Sequence, residues 1–328
     1  MVSGSKFSLA GPVAILGGSG FIGTRLAELL RDEGLAIRIG DLQQSAAFTE
    51  WWKPCDVRDA DSVGETVREA CAIVNLAAEH RDDVHPVSRY YETNVEGARQ
   101  VCRAARQAGV QRIVFTSSVA VYGFQPEPVD EGGPFSPFNA YGKTKLEAEA
   151  IYQSWAAEDP SRTLVIVRPT VVFGEGNRGN VYNLLHQIAT GRFLMVGSGK
   201  NVKSMAYVGN MAAFLAYVLK LGPGVHIFNY VDNPDMNTQD LVVHIRRCLG
   251  KNGDVPHVPK FLALAGGCML DVVARISGRT FPISAIRVRK FCESTQFQAL
   301  RVREIGFVPP YTLNEGLART IRFEFPES

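Results

Sequence analysis

The stretch VAILGGSGFIG, residues 13–23, decides the fold. A short aliphatic run passes straight into glycines at 17, 20 and 23, a GxxGxxG spacing, and an apolar helical pattern follows. A strand ending in such a turn and opening a helix lets backbone approach a bound group closely. The helix start also offers free N–H groups and a partial positive charge to a pyrophosphate. Gly17, Gly20 and Gly23, with Phe21 and Ile22 at the helix start, are therefore the candidate dinucleotide cradle. About twenty residues on, Asp41 closes the next apolar run, where a carboxylate can hold ribose hydroxyls and repel a 2′-phosphate. NAD is thus favoured over NADP. Arg38, inside that run, reads as a solvent-facing charge.

Outward from this stretch, β-branched and aliphatic runs at 35–40, 72–77, 112–118 and 163–169 alternate with helical patterns near 21–33, 60–70, 87–108 and 140–158. That rhythm predicts an α/β fold, a Rossmann-like doubly wound parallel sheet covered on both faces. After Pro169 the alternation decays, and 211–220 and 225–230 are expected to return to the sheet. The expected division is a cofactor domain over 1–170 with a return at about 206–230. A smaller substrate-binding lobe is expected from 171–205 and 231–328.

The chain has 328 residues and a net charge of +2, with 46% hydrophobic and 21% charged residues, which excludes a disordered or polyelectrolyte chain. No nucleic-acid partner is suggested. Cys55, Cys71, Cys102, Cys248, Cys268 and Cys292 form no CxxC pair, so neither a metal knuckle nor a disulfide framework is expected. Reduced thiols and a cytoplasmic location are the expectation. The apolar run Phe261 to Leu270 is half the roughly twenty residues a spanning helix needs, so it reads as a core or substrate-lobe helix without stable membrane insertion.

Tyr141 and Lys145 form a YxxxK pair on one face of the helix expected from about 140. Moving a tyrosine from about 10 to near 7 requires about 4 kcal/mol of preferential phenolate stabilisation, which a nearby ammonium and a nicotinamide cation can supply. Such a phenolate exchanges a proton with an alcohol while a cofactor exchanges hydride. Ser117 and Ser118, ending the run RIVFTSS, are expected beside the same nicotinamide. Asp56 and the Val57 backbone suit an adenine amino group, whereas Asp59 suits a helix cap. Leu76, Ala77 and Ala78, ending AIVNLAA, let backbone lie against the dinucleotide.

Taken together, GGSGFIG, Asp41, DVRD, NLAA, TNVEGARQV (93–101), FTSSVAVYG (115–123), YGKTK (141–145), RPTVVFG (168–174) and IGFVPPYTLNEGL (305–317) resemble the extended short-chain dehydrogenase/reductase family, in its nucleotide-sugar epimerase and reductase branch. The resemblance covers nearly the whole chain. It implies that Ser118, Tyr141 and Lys145 are catalytic, that Asn94 helps order the site, and that Pro169 lies with the cofactor residues. It also implies that Asn180 contacts the substrate. Lys203 stands where relatives carry a phosphate-binding arginine, and Arg287 or Arg289 is to supply a second cation. Lysine is a point charge where arginine forks, so this departure weakens the nucleotide corner. The relatives' YVDD is YVGN here, at 207–210.

Dehydratases of the family carry two carboxylates directly after the catalytic hydroxyl, and here Val119 and Ala120 stand there. Dehydration is therefore disfavoured. The leading expectation is a UDP-sugar 4-epimerase that retains NAD and acts through a 4-keto intermediate. A nucleotide-4-keto-sugar reductase uses the same residues but releases its cofactor. A hydroxysteroid-dehydrogenase-like enzyme is suggested by the apolar segment 258–279, and a non-catalytic NAD sensor is disfavoured by the intact Ser118, Tyr141 and Lys145. The resemblance also implies a homodimer through helices 87–108 and 140–158.

Overall fold

The structure, a computed structural model, describes residues 10–81, 84–251, 255–277 and 285–326. The central sheet holds β1 (Val13–Leu16), β2 (Ile37–Asp41), β3 (Trp52–Pro54), β4 (Ala72–Asn75), β5 (Arg112–Thr116), β6 (Thr163–Pro169) and β7 (Gly224–Tyr230). Its seven strands run parallel in the order β7-β6-β5-β4-β1-β2-β3, the doubly wound arrangement expected from the sequence. Helices α1 (Phe21–Asp32) and α6 (Val208–Val218) cover one face; α2 (Ala60–Val67), α3 (Gly97–Ala108) and α4 (Ala140–Ala157) cover the other. Val13 and Ile15 enter the first core, Ala14 and Leu16 the second, and all four are fully buried. A strand buried on both faces has no reason to alternate, which is why VAIL reads as a continuous apolar run.

Beyond β6 a third core gathers Phe173, Leu185, Met195, Leu241, Leu317 and Ile321. It joins α5 (Asn180–Ala189), α7 (Thr238–Cys248) and α10 (Leu313–Glu324). Helix α10 opens on a capping box in which Thr312 and Glu315 satisfy each other's backbone N–H. Asn210 explains part of the YVGN departure: its amide donates to the Tyr311 carbonyl at 2.8 Å and accepts from the Tyr311 N–H at 3.0 Å. An aspartate could not donate, so here the asparagine clips the chain before α10. Helices α8 (Lys260–Ser277) and α9 (Ala285–Cys292) pack against each other. The segment 299–307 lies instead against β7 and the first core.

Arg38 departs from the sequence expectation. It is half-buried and donates to the Thr66 carbonyl at 2.9 Å and the Arg68 carbonyl at 2.6 Å, satisfying acceptors at the end of α2.

The second face is held by an ion pair that is 1% exposed on both partners. Arg168 at the end of β6 forks onto Glu149 of α4 at 2.8 and 2.6 Å. Its third nitrogen donates to the Tyr122 hydroxyl at 2.7 Å, which donates onward to Asn229 at 2.8 Å. Removing one partner of a buried pair strands the other charge, at a cost of about 3–5 kcal/mol. Glu149→Ala is therefore expected to lower unfolding stability by about that amount in denaturant titration; a loss under about 1 kcal/mol would contradict an anchoring role.

Candidate active site

The strand order reverses between β1 and β4, so the loops after these strands face one crevice. Gly17 turns with φ +76°, and a Cβ there would lie 2.7 Å from the Ala77 nitrogen, so only glycine lets the two loops close on each other. Gly20 caps α1 without a side-chain acceptor, leaving the N-terminal turn bearing Phe21, Ile22 and Gly23 to face an external anion. Asp41 accepts from the Ser19 N–H and the Gln43 N–H, both at 3.0 Å, which sets its carboxylate against the glycine turn. Asn75 shapes the opposite wall: its oxygen accepts from Ala77 N–H at 3.1 Å and its nitrogen donates to the Tyr152 hydroxyl at 2.7 Å. Leu76, Ala77 and Ala78 remain half-buried along this wall. Ser19 Oγ and Ser117 Oγ are buried and have no hydrogen-bond partner among the described residues. A narrow cradle that a Cβ would fill, together with buried hydroxyls needing partners, fits a dinucleotide lying across the crevice.

At the far end, a hollow of about 390 Å³ opens beside Asp56, bordered by Leu42, Pro54 and Cys55. Arg58 forks onto the Asp56 carboxylate at 2.6 to 3.0 Å and holds it below the usual carboxylate range. An adenine placed there would meet a carboxylate whose charge Arg58 already compensates. Val57 is buried against Gly97, and Asp59 caps α2 as the sequence suggested.

The candidate reacting groups converge at the end of β5 and the start of α4. Ser118 is half-buried, and its Oγ accepts from the Ala120 N–H at 3.1 Å at the head of a single helical turn. That turn and α4 touch closely: a Cβ on Gly142 would lie 2.5 Å from the Ala120 carbonyl, so glycine lets the helix bearing Tyr141 approach Ser118. Asn139 caps α4 by accepting from Gly142 N–H at 2.9 Å. Lys145 is 2% exposed, donates to the Thr116 carbonyl at 2.8 Å, and lies 6.0 Å from the centre of the half-buried Tyr141 ring. Burial pushes its ammonium down to about 7, against the opposing pull of Glu149. Ser117 is held by its N–H on the Val167 carbonyl at 2.7 Å, and Pro169 closes the buried β6 alongside.

Asn94 sits in a π-helical turn, Tyr91–Glu96, just before α3. Its oxygen accepts from Glu79 N–H at 2.9 Å, and its nitrogen reaches the Glu79 carbonyl at 3.1 Å and the Thr144 hydroxyl at 2.9 Å. The side chain is spent on protein groups, so Asn94 positions the loop after β4 against the residue preceding Lys145. Such wide turns commonly mark functional positions.

On the substrate side, Asn180 is exposed at the first position of α5. Lys203 is half-buried and donates to the Glu293 carbonyl, just past α9; burial pulls its ammonium down. Arg289 on α9 is exposed, while the Arg287 side chain lies outside the described residues. Lys203 thus fastens the segment that follows the arginine-bearing helix. The sequence reading did not find Tyr152, Glu149 or Thr144, because their partners Asn75, Arg168 and Asn94 are distant in the chain. The one local signal is that Glu149 and Tyr152 lie on the face of α4 that carries Lys145, whereas Thr144 sits about 100° round the helix from it.

This crevice, with its serine, tyrosine and buried lysine beside a glycine-rich turn, has the geometry of an extended short-chain dehydrogenase/reductase. The NAD dependent epimerase/dehydratase family matches residues 13–230, and the chain belongs to it. The chain is an enzyme of that family, and NAD is its cofactor. It is 48% identical over 315 residues to the N-acetyl-alpha-D-glucosaminyl-diphospho-ditrans,octacis-undecaprenol 4-epimerase of Escherichia coli O157:H7, covering 95% of each chain. It is 26% identical to the UDP-glucose 4-epimerase of Vibrio cholerae, covering 94% of each. The fold is shared with the Thermus thermophilus UDP-glucose 4-epimerase in complex with NAD, at a TM-score of 0.75 and 22% identity, over 97% of this chain and 100% of that one.

The buried lysine predicts a pH signature. An unfolded lysine titrates near 10.4, so between about 7 and that value the unfolded chain binds a proton the folded one does not. Stability contributed by this group therefore rises with pH across that window, by up to about 5 kcal/mol, and is lost again as pH falls towards 7. Denaturant unfolding from pH 7 to 10 should give Lys145→Met a smaller slope of stability against pH than the parent. Equal slopes would mean that Lys145 is not buried as described.

Proposed function

We propose that the chain is a retained-NAD 4-epimerase whose substrate is an N-acetylhexosamine on a diphosphate carried by a polyprenol. The observation that carries this reading is the 48% identity, over 95% of both chains, to the Escherichia coli relative named for that chemistry. Val119 and Ala120 support hydride chemistry over dehydration, since neither can act as acid or base. The second reading, epimerisation of a UDP-linked hexose or N-acetylhexosamine, is favoured by the UDP-glucose 4-epimerase relative. Either substrate carries a diphosphate for which the family resemblance offers Arg287 or Arg289 as the cation, with Asn180 contacting the diphosphate or the sugar ring. A homodimer through α3 and α4 belongs to both readings.

In this mechanism Tyr141 Oη takes the proton of the sugar 4-hydroxyl while Ser118 Oγ hydrogen-bonds the same oxygen. Bound NAD supplies the acceptor for the C4 hydride and, on the return, its donor. Lys145 stabilises the tyrosinate from below, its charge anchored on the Thr116 carbonyl. Tyr141 gives the proton back once the 4-keto sugar has turned its other face, so no net oxidation occurs.

Purified enzyme without added cofactor should convert the N-acetylglucosaminyl diphospholipid to its 4-epimer, with kcat/KM at least about 100-fold above that for UDP-N-acetylglucosamine. Equal or preferred turnover of UDP sugars would establish the second reading instead. Consumption of external NADPH by a 4-keto sugar would make the enzyme a reductase. Tyr141→Phe should lower kcat by about 100- to 10,000-fold while bound NAD, read by absorbance after denaturation, stays at the parent's level. Retained activity would remove Tyr141 from the proton path.

A further inference from the structure

Helix α8 has an unusual solvent face. Phe261 is 69% exposed, Leu262 52%, Met269 70% and Val273 45%, and Ala265, Gly266 and Cys268 are exposed between them. At 100° per residue these positions fall on one arc of about 160°, and no charged residue lies on it. A water-facing helix face ordinarily carries the charges and buries the apolar side; here the order is reversed. Asp271, the one charged residue between Lys260 and Val273, faces the other way and accepts from the Ala285 N–H of α9 at 3.1 Å. Ile286 of α9, 57% exposed, adds to the apolar surface. Exposed Lys260 and Arg289 supply cations from the two helices.

The pair of helices is also fastened to the substrate side. His257–Val258, which leads into α8, pairs with Met195–Val196. Phe291 of α9 packs edge-on against Phe193 at 6.1 Å, and its carbonyl accepts from Asn201 at 2.8 Å. Lys203 holds the next turn through Glu293. Helices α8 and α9 are thus tied to the segment from Phe193 to Lys203.

We propose that the exposed face of α8, with Ile286, docks the enzyme onto the surface of an anionic lipid bilayer, lying in the interface without crossing it. No helix among the described residues is long and apolar enough to cross a membrane, whereas a helix with one apolar face and flanking cations suits the headgroup boundary. The choice of a lipid surface over a protein as occupant rests on the polyprenol reading above, because a long isoprenoid resides in a bilayer and its diphospho-sugar emerges at the headgroups. Docking through α8 sets the diphosphate-facing side of the enzyme at that level.

The test uses the full chain and vesicles of phosphatidylcholine with phosphatidylglycerol, with no substrate present. The parent should co-sediment with these vesicles more than with phosphatidylcholine alone. The double variant Leu262→Glu/Met269→Glu should partition at least about tenfold less, with an unchanged circular dichroism spectrum. Parent protein left in the supernatant, or a double variant that binds equally, overturns the proposal. So does a parent dimer that becomes monomeric in the double variant, since the face would then belong to a second copy. Turnover separates this from the functional reading. Substrate dispersed in detergent should be converted equally by both proteins, and substrate in vesicles about tenfold faster by the parent. Vesicle binding without turnover of the diphospholipid in either form would sink the polyprenol reading and leave the docking face standing.

Discussion

A lysine ammonium taken out of water is the constraint on which the site depends. Lys145 is buried under β5 and donates to the Thr116 carbonyl, and a charge held in such surroundings must have its neighbours fixed. The neighbours sit on the same face of α4. Glu149, one turn on, pulls against the burial and is itself locked by Arg168 at the end of β6. Tyr152, further along, is held by Asn75 at the end of β4. One helix face therefore ties the ends of three adjacent strands together, and Tyr141 stands at its open end beside the turn that begins with Ser118. A phenolate at Tyr141 would favour the charged ammonium and so oppose the effect of burial.

The crevice follows from the same sheet. Strand order reverses between β1 and β4, and glycine at 17 lets the two loops touch, so a dinucleotide in this crevice would lie across strand ends that α4 has already fixed. The second lobe approaches from the other side through its own core, and Asn210 clips it to the sheet by grasping Tyr311. The sheet and the second lobe thus rest on separate cores.

Much of this architecture is legible in the sequence because it is written in local patterns. VAIL is β1 to the residue, the run RIVFTSS contains β5, and the helix expected over 140–158 is α4 with one residue fewer. Glycine spacing and the YxxxK pair are likewise local. What escapes a one-dimensional reading is pairing over distance: Glu149 with Arg168, Asn75 with Tyr152, Asn94 with Thr144, and Arg38 with the carbonyls ending α2. A polar residue in an apolar period carries no mark of its partner. The apolar run after Lys260 fails for a different reason. Its composition looks like core, and only the packing of α9 on the opposite side leaves its apolar face turned to solvent.

The central claim is that hydride leaves and returns to the same sugar carbon within one cofactor-loaded site. It is tested most directly by a crossover experiment, mixing the diphospholipid sugar deuterated at C4 with undeuterated substrate bearing a mass label elsewhere in the sugar. Mass spectrometry of the epimer should find deuterium at C4 of the originally deuterated molecules, none transferred to the mass-labelled ones, and none washed out to water. Deuterium appearing in the second population, or lost to solvent, would contradict the account.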